Sequence, residues 1–242
     1  ELTDQVRHAV PRRLRSMWQA RGGAPAPRTP SIVREQPKLP WRGPLTPGRS
    51  FSWVSVPLDD VKAMAQALSG TVNAVVFAIA AGAIREYLLA EGLATERPVV
   101  GNAAAKPRGE GDGRLWGTSA TNRTFALPTH LADPLARLRE AQVQTRAVRA
   151  SVDSRPVQRE EWFDLAPAFA LRPMLRFARL MGRWMNGAVI VSNVMGPHEK
   201  RYIGPMGIEN FISCGHLKYV AGLNITVWSY ADMLNFAVYG CS

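Results

Sequence analysis

Histidine and cysteine are the scarce residues of this chain, four and two among 242. His8, His130, His198 and His216 stand apart from one another, so no pair sits at the short spacing that brings two imidazoles onto one zinc ion. Cys214 and His216 lie close together, but no second ligand pair accompanies them and a metal site is not expected. Cys214 and Cys241 allow one disulfide at most and no disulfide framework, which makes a reducing cytoplasm the default compartment. Long apolar runs are missing too. The longest, Ala74 to Ile84, stops at Arg85 and Glu86, well short of the roughly 20 residues that a membrane-spanning helix needs. It reads as a core helix. No signal peptide opens the sequence; it starts at Glu1 and stops at Ser242 after an apparent strand, so both ends read as cuts within a longer translation product. Nucleotide-binding patterns are also absent. Lys106 to Arg114 carries Gly109, Gly111 and Gly113, yet no G-x-x-x-x-G-K-[ST] or G-x-G-x-x-G leads into a helix, and a charged hairpin tip is the better reading than a phosphate loop.

Acidic residues are the minority charge, 19 against 30 Lys plus Arg, for a formal net charge of +11. That balance favours an anionic partner: nucleic acid, acidic lipid headgroups or a phosphate-bearing coenzyme A thioester. No helix-turn-helix, finger or RNA-recognition pattern is present, so no nucleic acid is expected. With 46% hydrophobic residues the chain can bury a substantial core, at the upper edge of one domain or the lower edge of two.

In chain order, Leu2, Val6, Val10, Leu14 and Trp18 recur at helical spacing among arginines over Glu1 to Ala20. This is a basic amphipathic helix, suited to a lipid interface or to packing on another domain. Arg21 to Arg49 is rich in proline and reads as an extended linker, so residues 1–49 precede a domain that spans 50–242. Phe51 to Val56 alternates as a strand, and Asp59 and Asp60 open a helix with Val61, Met64, Ala65 and Leu68 on its apolar face. Thr71 caps a helix over Val72 to Ala90 that is apolar nearly all round, with polar Asn73 in its first turn. Strands are expected at Pro98 to Ala104 and Trp116 to Leu127, and a helix after Asp133-Pro134 carries Leu135, Leu138, Ala141 and Val148.

Trp162 to Asn186 reads as a helix or helix pair with Arg172, Arg176, Arg179 and Arg183 on one face and Phe169, Met174, Phe177, Leu180, Met181 and Trp184 on the rest. That face is either a contact with membrane headgroups or a solvated surface. Val189 to Pro197 reads V-I-V-S-N-V-M-G-P, a buried strand ending in a polar turn. Ser192 and Asn193 either wall a pocket or cap the strand end. Leu223 to Ser229 and Leu234 to Tyr239 form a hairpin across Ala231-Asp232, with Asn224 and Thr226 a second polar pair on an apolar sheet.

Four of these segments carry a resemblance: T-V-N-A-V-V-F-A-I-A-A-G-A-I-R-E-Y-L from Thr71, L-P-T-H-L-A-D-P-L-A-R-L from Leu127, S-N-V-M-G-P from Ser192 and G-L-N-I-T-V-W-S-Y from Gly222. In order and spacing they resemble the C-terminal domain of the bacterial wax ester synthase/diacylglycerol acyltransferase family. The resemblance implies an α+β fold, a mixed β-sheet with packed helices. This would be one lobe of a two-lobed chloramphenicol acetyltransferase/condensation-domain-like molecule. Acyl-CoA would enter the tunnel between lobes from one side as substrate, with no covalently bound cofactor. The acceptor, diacylglycerol or a long-chain alcohol, would enter from the other. The family's catalytic histidine lies in an H-H-x-x-x-D-G motif on the N-terminal lobe. None of the four histidines here has aspartate four residues later, so no catalytic residue is expected in this chain, and the N-terminal lobe must come from the same protein or a separate polypeptide. Asn73, Ser192, Asn193, Asn224 and Thr226 are implied to line the tunnel or the lobe interface. The Arg172, Arg176, Arg179 and Arg183 stripe would meet a membrane or lipid-droplet surface from the cytoplasmic side. Three positions depart from the family pattern: Ala74 where aspartate follows the asparagine, Met195 where proline is usual, and Gly117-Thr118 where Gly-Asn is expected. They keep open a non-catalytic lipid- or acyl-CoA-binding scaffold with the same fold.

Overall fold

The computed structural model describes residues 37–105, 121–153, 188–217 and 221–241, together with Pro173 and Arg176. The expected N-terminal helix, the first part of the linker, the glycine-rich loop and nearly all of the Trp162 to Asn186 segment, including Arg172, Arg179 and Arg183, lie outside the described residues. Arg176 is helical and exposed.

The elements run β1 (Arg49–Pro57), α1 (Leu58–Ala67), α2 (Val72–Ala90), β2 (Val99–Ala105), β3 (Thr121–Leu127), α3 (Pro134–Asp153), β4 (Val189–Val194), β5 (Tyr202–Ile203), β6 (Met206–Gly207), β7 (Leu223–Tyr230) and β8 (Met233–Cys241). Six strands form one mixed sheet in the order β1-β8-β7-β4-β2-β3. β4 is parallel to both β7 and β2, while the β7–β8, β8–β1 and β2–β3 pairs are antiparallel. The expected hairpin closes across Ala231-Asp232, with Ala231 at φ +52°.

Side chains alternate across a strand, so the register assigns every residue to a face. Val189, Val191, Ile225, Val227, Leu234 and Phe236 are buried on the face that carries the helices, where they join Val61 and Ala65 of α1, the buried side of α2 and Leu138 and Ala141 of α3 in one core. Phe77 stacks on Phe125 there, with ring centroids 4.3 Å apart. Thr71 caps α2 as expected, its hydroxyl accepting from the Ala74 N–H at 3.2 Å. Two assignments to apolar faces change: Met64 and Leu135 are exposed. Each faces water although its spacing matches the core positions of its helix, as single surface apolar residues commonly do.

The core also starts before residue 50. Leu39 and Trp41 are buried, the Trp41 indole N–H donates to the Ala188 carbonyl at 2.9 Å and the Trp41 carbonyl accepts from the Gly222 N–H at 3.2 Å. This proline-rich stretch thus seals the amino ends of β4 and β7. Trp41→Phe keeps the ring and removes the buried donor, leaving the Ala188 carbonyl without its partner. A loss of about 1–2 kcal/mol is expected in urea unfolding, with an unchanged m-value.

Candidate functional site

β1, β2, β4 and β7 all point the same way, so their carboxyl ends gather at one end of the sheet. The amino terminus of α2 reaches that end as well. Open α/β sheets present ligand crevices there, because loops diverge where the parallel strands stop. Asn193, near the end of β4, shares the helix-bearing face with Val189 and Val191, and its Nδ2 donates to Asn73 Oδ1 across 3.4 Å. Both residues are half-buried. Two segments that are 120 residues apart in sequence meet here through a pair of polar side chains.

Ser192 is one residue earlier and therefore points to the opposite face. There it lies in register with Thr226, and Ile190 with Asn224. The polar residues singled out by sequence thus divide into two sets. On the second face, the irregular segment 208–217 runs along β7 as a strap, and the buried polar side chains hold it. Asn224 Nδ2 donates to the His216 carbonyl at 3.1 Å, Thr226 Oγ1 donates to Asn224 Oδ1 at 2.7 Å, and the Gly215 N–H donates to Thr226 Oγ1 at 3.1 Å. A side chain at position 215 would collide with the Asn224 amide, so the strap approaches the sheet closely only because glycine stands there. Asn224 and Thr226 spend their hydrogen bonds on the strap, whereas Ser192 is only half-buried beside them.

Sequence reading missed the rest of this polar row. Asn235 is buried; it accepts from Ser55 Oγ at 2.5 Å and donates to the Phe211 carbonyl at 3.1 Å. Asn102, also buried, accepts from Thr124 Oγ1 at 3.2 Å. The signal was present as single asparagines inside apolar strands, in M-L-N-F-A and V-V-G-N-A, which a buried strand tolerates only with a partner. The turn after β4 closes over Trp228, whose buried indole N–H has no hydrogen-bond partner among the described residues. Gly196 N–H donates to Ser229 Oγ at 3.0 Å, and the Pro197 carbonyl accepts from Ala231 N–H at 2.9 Å.

Neither Cys214 nor Cys241 forms a disulfide. Thr46 hydrogen-bonds Cys241 Sγ through its hydroxyl and its backbone N–H, and these bonds, helped by nearby Arg49, hold the thiol below its usual range against a smaller opposing effect of desolvation. Among the described residues no cluster of His, Cys, Asp or Glu could hold a metal ion. The carboxamides and hydroxyls gathered at the sheet end can orient and hydrogen-bond a ligand or a neighbouring loop, but none takes up a proton at neutral pH.

The mixed sheet with its helices on one face agrees with the chloramphenicol acetyltransferase/condensation-domain type of fold that the sequence resemblance implies. In line with this, the chain aligns over 92% of its length with the nonribosomal peptide synthetase FmoA3 at a TM-score of 0.55 and 16% identity, covering 23% of that chain. Residues 116–242 match the WS/DGAT C-terminal domain family, and residues 1–76 match the wax ester synthase/diacylglycerol acyltransferase catalytic domain family. Two Mycobacterium tuberculosis relatives, provisionally named diacylglycerol O-acyltransferases, are 31% and 34% identical over 86% and 80% of this chain. The wax ester synthase/diacylglycerol acyltransferase from Marinobacter aquaeolei superposes over 94% of the chain with a TM-score of 0.62 and 25% identity. The chain belongs to the wax ester synthase/diacylglycerol acyltransferase family. It spans somewhat less than half of these relatives, 45% and 41% of the mycobacterial proteins and 49% of the Marinobacter chain. The catalytic-domain match extends through β1 and α1 into α2, yet β1 pairs along its whole length with β8. The two family regions therefore interleave in a single sheet.

Proposed function

We propose that this chain is the C-terminal lobe of an O-acyltransferase that moves a long-chain acyl group from acyl-CoA to diacylglycerol or a fatty alcohol, giving triacylglycerol or wax ester. The observation that carries this reading is the Asn73–Asn193 pair at the open end of the sheet, in a chain of this family whose sequence lacks the H-H-x-x-x-D-G motif. The base would be the histidine of the H-H-x-x-x-D-G motif on the N-terminal lobe. It takes the proton of the acceptor hydroxyl as that oxygen attacks the thioester carbonyl; the carbon–sulfur bond then breaks, and the coenzyme A thiolate leaves and is protonated. The role of Asn73 and Asn193 is to fix the partner loop or the acceptor in attack geometry. The work site is a cytoplasmic membrane face or lipid-droplet surface, reached in part through the Arg172 to Arg183 stripe.

One observation favours a second reading. Ala74 is buried beside the Thr71 cap, where the family pattern places a carboxylate. A lobe that has lost this group could bind lipid or acyl-CoA without turnover. The experiment is to prepare the chain together with its N-terminal lobe and to follow free thiol released from a long-chain acyl-CoA. Release that requires added diacylglycerol or alcohol supports the enzyme. Acyl-CoA binding with no release for any acceptor supports the scaffold.

A further inference from the structure

α1 and α2 are joined by the turn Leu68 to Thr71, which ends two residues before Asn73. Gly70 N–H donates to the Ala65 carbonyl at 2.8 Å and Ser69 N–H to the Gln66 carbonyl at 3.0 Å, the paired bonds of a Schellman stop at the end of α1. Such a stop needs one residue in the left-handed region. Here it is Ser69, at φ +49°, which lacks the freedom of glycine. The turn is strained at its middle and is held from outside.

Gln142 of α3 supplies the tie. Its Nε2 donates to the Leu68 carbonyl at 3.2 Å, a helix-end acceptor that the Schellman bonds leave over. The same amide lies against Gly70, where an added Cβ would collide with Gln142 Nε2 and stand 3.0 Å from its Cδ. Gly70 is not in the left-handed region, so glycine is needed there for the close approach and not for the conformation. The end of α1, the approach to α2 and the middle of α3 thus meet at one carboxamide. Thr71 follows directly. Its hydroxyl and carbonyl share the Ala74 N–H at 3.2 and 2.9 Å, and the carbonyl also accepts from Val75 N–H at 3.2 Å. These bonds build the first turn of α2, so the placement of Thr71 sets that of Asn73, whose Oδ1 accepts from Asn193 Nδ2 at 3.4 Å. A bond of that length is near its limit, and a small displacement of the turn opens it.

We propose that Gln142 is a positioning residue for the Asn73–Asn193 junction. It fixes the turn from Leu68 to Thr71, the turn fixes the start of α2, and the start of α2 keeps Asn73 within reach of Asn193. Gln142 hydrogen-bonds neither asparagine and acts through the turn alone. The use of this positioning in catalysis rests on the acyltransferase reading; the coupling of Gln142 to the junction does not. Gln144, on the same helix, provides the comparison. Its amide serves other elements, with Oε1 accepting from the Ala126 N–H of β3 at 3.3 Å and Nε2 donating to Glu140 at 2.8 Å.

The test starts from nuclear magnetic resonance of the chain carrying Gln142→Met, which keeps the length of the side chain and removes the donor. The side-chain amide signals of Asn73 and Asn193 should move, and hydrogen exchange at the Ala74 amide should speed up at least about tenfold, while Gln144→Met leaves both as in the parent. Gly70→Ala, which pushes a methyl group into the Gln142 amide from the turn side, should reproduce the shifts and replaces Gln142→Met if that variant does not fold. Asparagine signals that stay put in a folded variant, or that move equally in Gln144→Met, overturn the assignment. In the two-lobed protein Gln142→Met should lower kcat/KM about tenfold. In the Asn73→Ala background it should add nothing, because a junction already lost has nothing left to position. A merely structural role would cost the same factor in both backgrounds, and that result also overturns the proposal. No turnover with any acceptor would sink the enzyme alone, since the resonance and exchange data decide the coupling without it.

Discussion

Alanine at position 196 is expected to destabilise the chain by about 3 kcal/mol, a large penalty for one added methyl group. A Cβ at Gly196 would run into the Ser229 carbonyl oxygen and the Trp228 indole. Neither can step aside easily. Ser229 is inside β7, held in the ladder opposite Leu234, and the Trp228 ring is packed against Phe211 at 5.1 Å. The turn cannot lift away either, because Gly196 N–H is bonded to Ser229 Oγ and the Pro197 carbonyl to Ala231. Relief would have to come from displacing the end of β4, which carries Asn193. The prediction is thus a lower urea midpoint and, in the two-lobed protein, a loss of turnover larger than the stability loss alone explains. Gly43→Ala is the control: nothing lies within 4 Å of an added Cβ there, so its stability should stay within about 0.5 kcal/mol of the parent. Equal effects of the two substitutions would remove the steric account.

The same turn shows what the sequence does and does not disclose. Three β-branched residues followed by Ser-Asn and Gly-Pro identify a buried strand and its stop, and β4 spans those residues. The alternation of β7 and β8 and the Thr71 cap are equally local signals, and they appear where expected. The pairing of β1 with β8, and of β4 between β2 and β7, is not local. It depends on which apolar faces meet after α2 and α3 have packed, and no residue pattern within a strand encodes its neighbour. Trp41 was hidden for a different reason: prolines around it mark a stretch without regular structure, but irregular backbone still enters a core when a buried carbonyl, here Ala188, accepts its indole proton.

The candidate site was legible as a set of residue types and not as an arrangement. Ser192 and Asn193 are adjacent in sequence and so fall on opposite faces, one facing the strap and the other facing α2. Asn224 and Thr226 were expected at a tunnel or lobe interface; in the structure their hydrogen bonds hold down segment 208–217. A polar residue on an apolar strand announces that it has a partner. It does not say whether the partner is a ligand or another part of the chain.

The Asn73–Asn193 pair leads to the second large effect. In the two-lobed protein, Asn73→Ala and Asn193→Ala should each lower kcat/KM by about 10- to 100-fold, while each costs only about 1 kcal/mol of stability because both positions are half-buried and the shared bond is long at 3.4 Å. The shared bond occupies one Nδ2 hydrogen of Asn193 and the Oδ1 of Asn73, leaving Asn73 donor capacity and the Asn193 carbonyl for a substrate oxygen or a loop of the other lobe. Residues that act as a unit give non-additive losses, so the double alanine variant should be no slower than the slower single one. Asn73→Asp keeps the acceptor for Asn193 Nδ2 and should recover most of the rate if holding Asn193 in place is the function of residue 73; no recovery would assign that function to the lost amide donors. Multiplying losses in the double variant would mean that the two asparagines work independently, and the junction between β4 and α2 would then be a structural contact that happens to lie at the open end of the sheet.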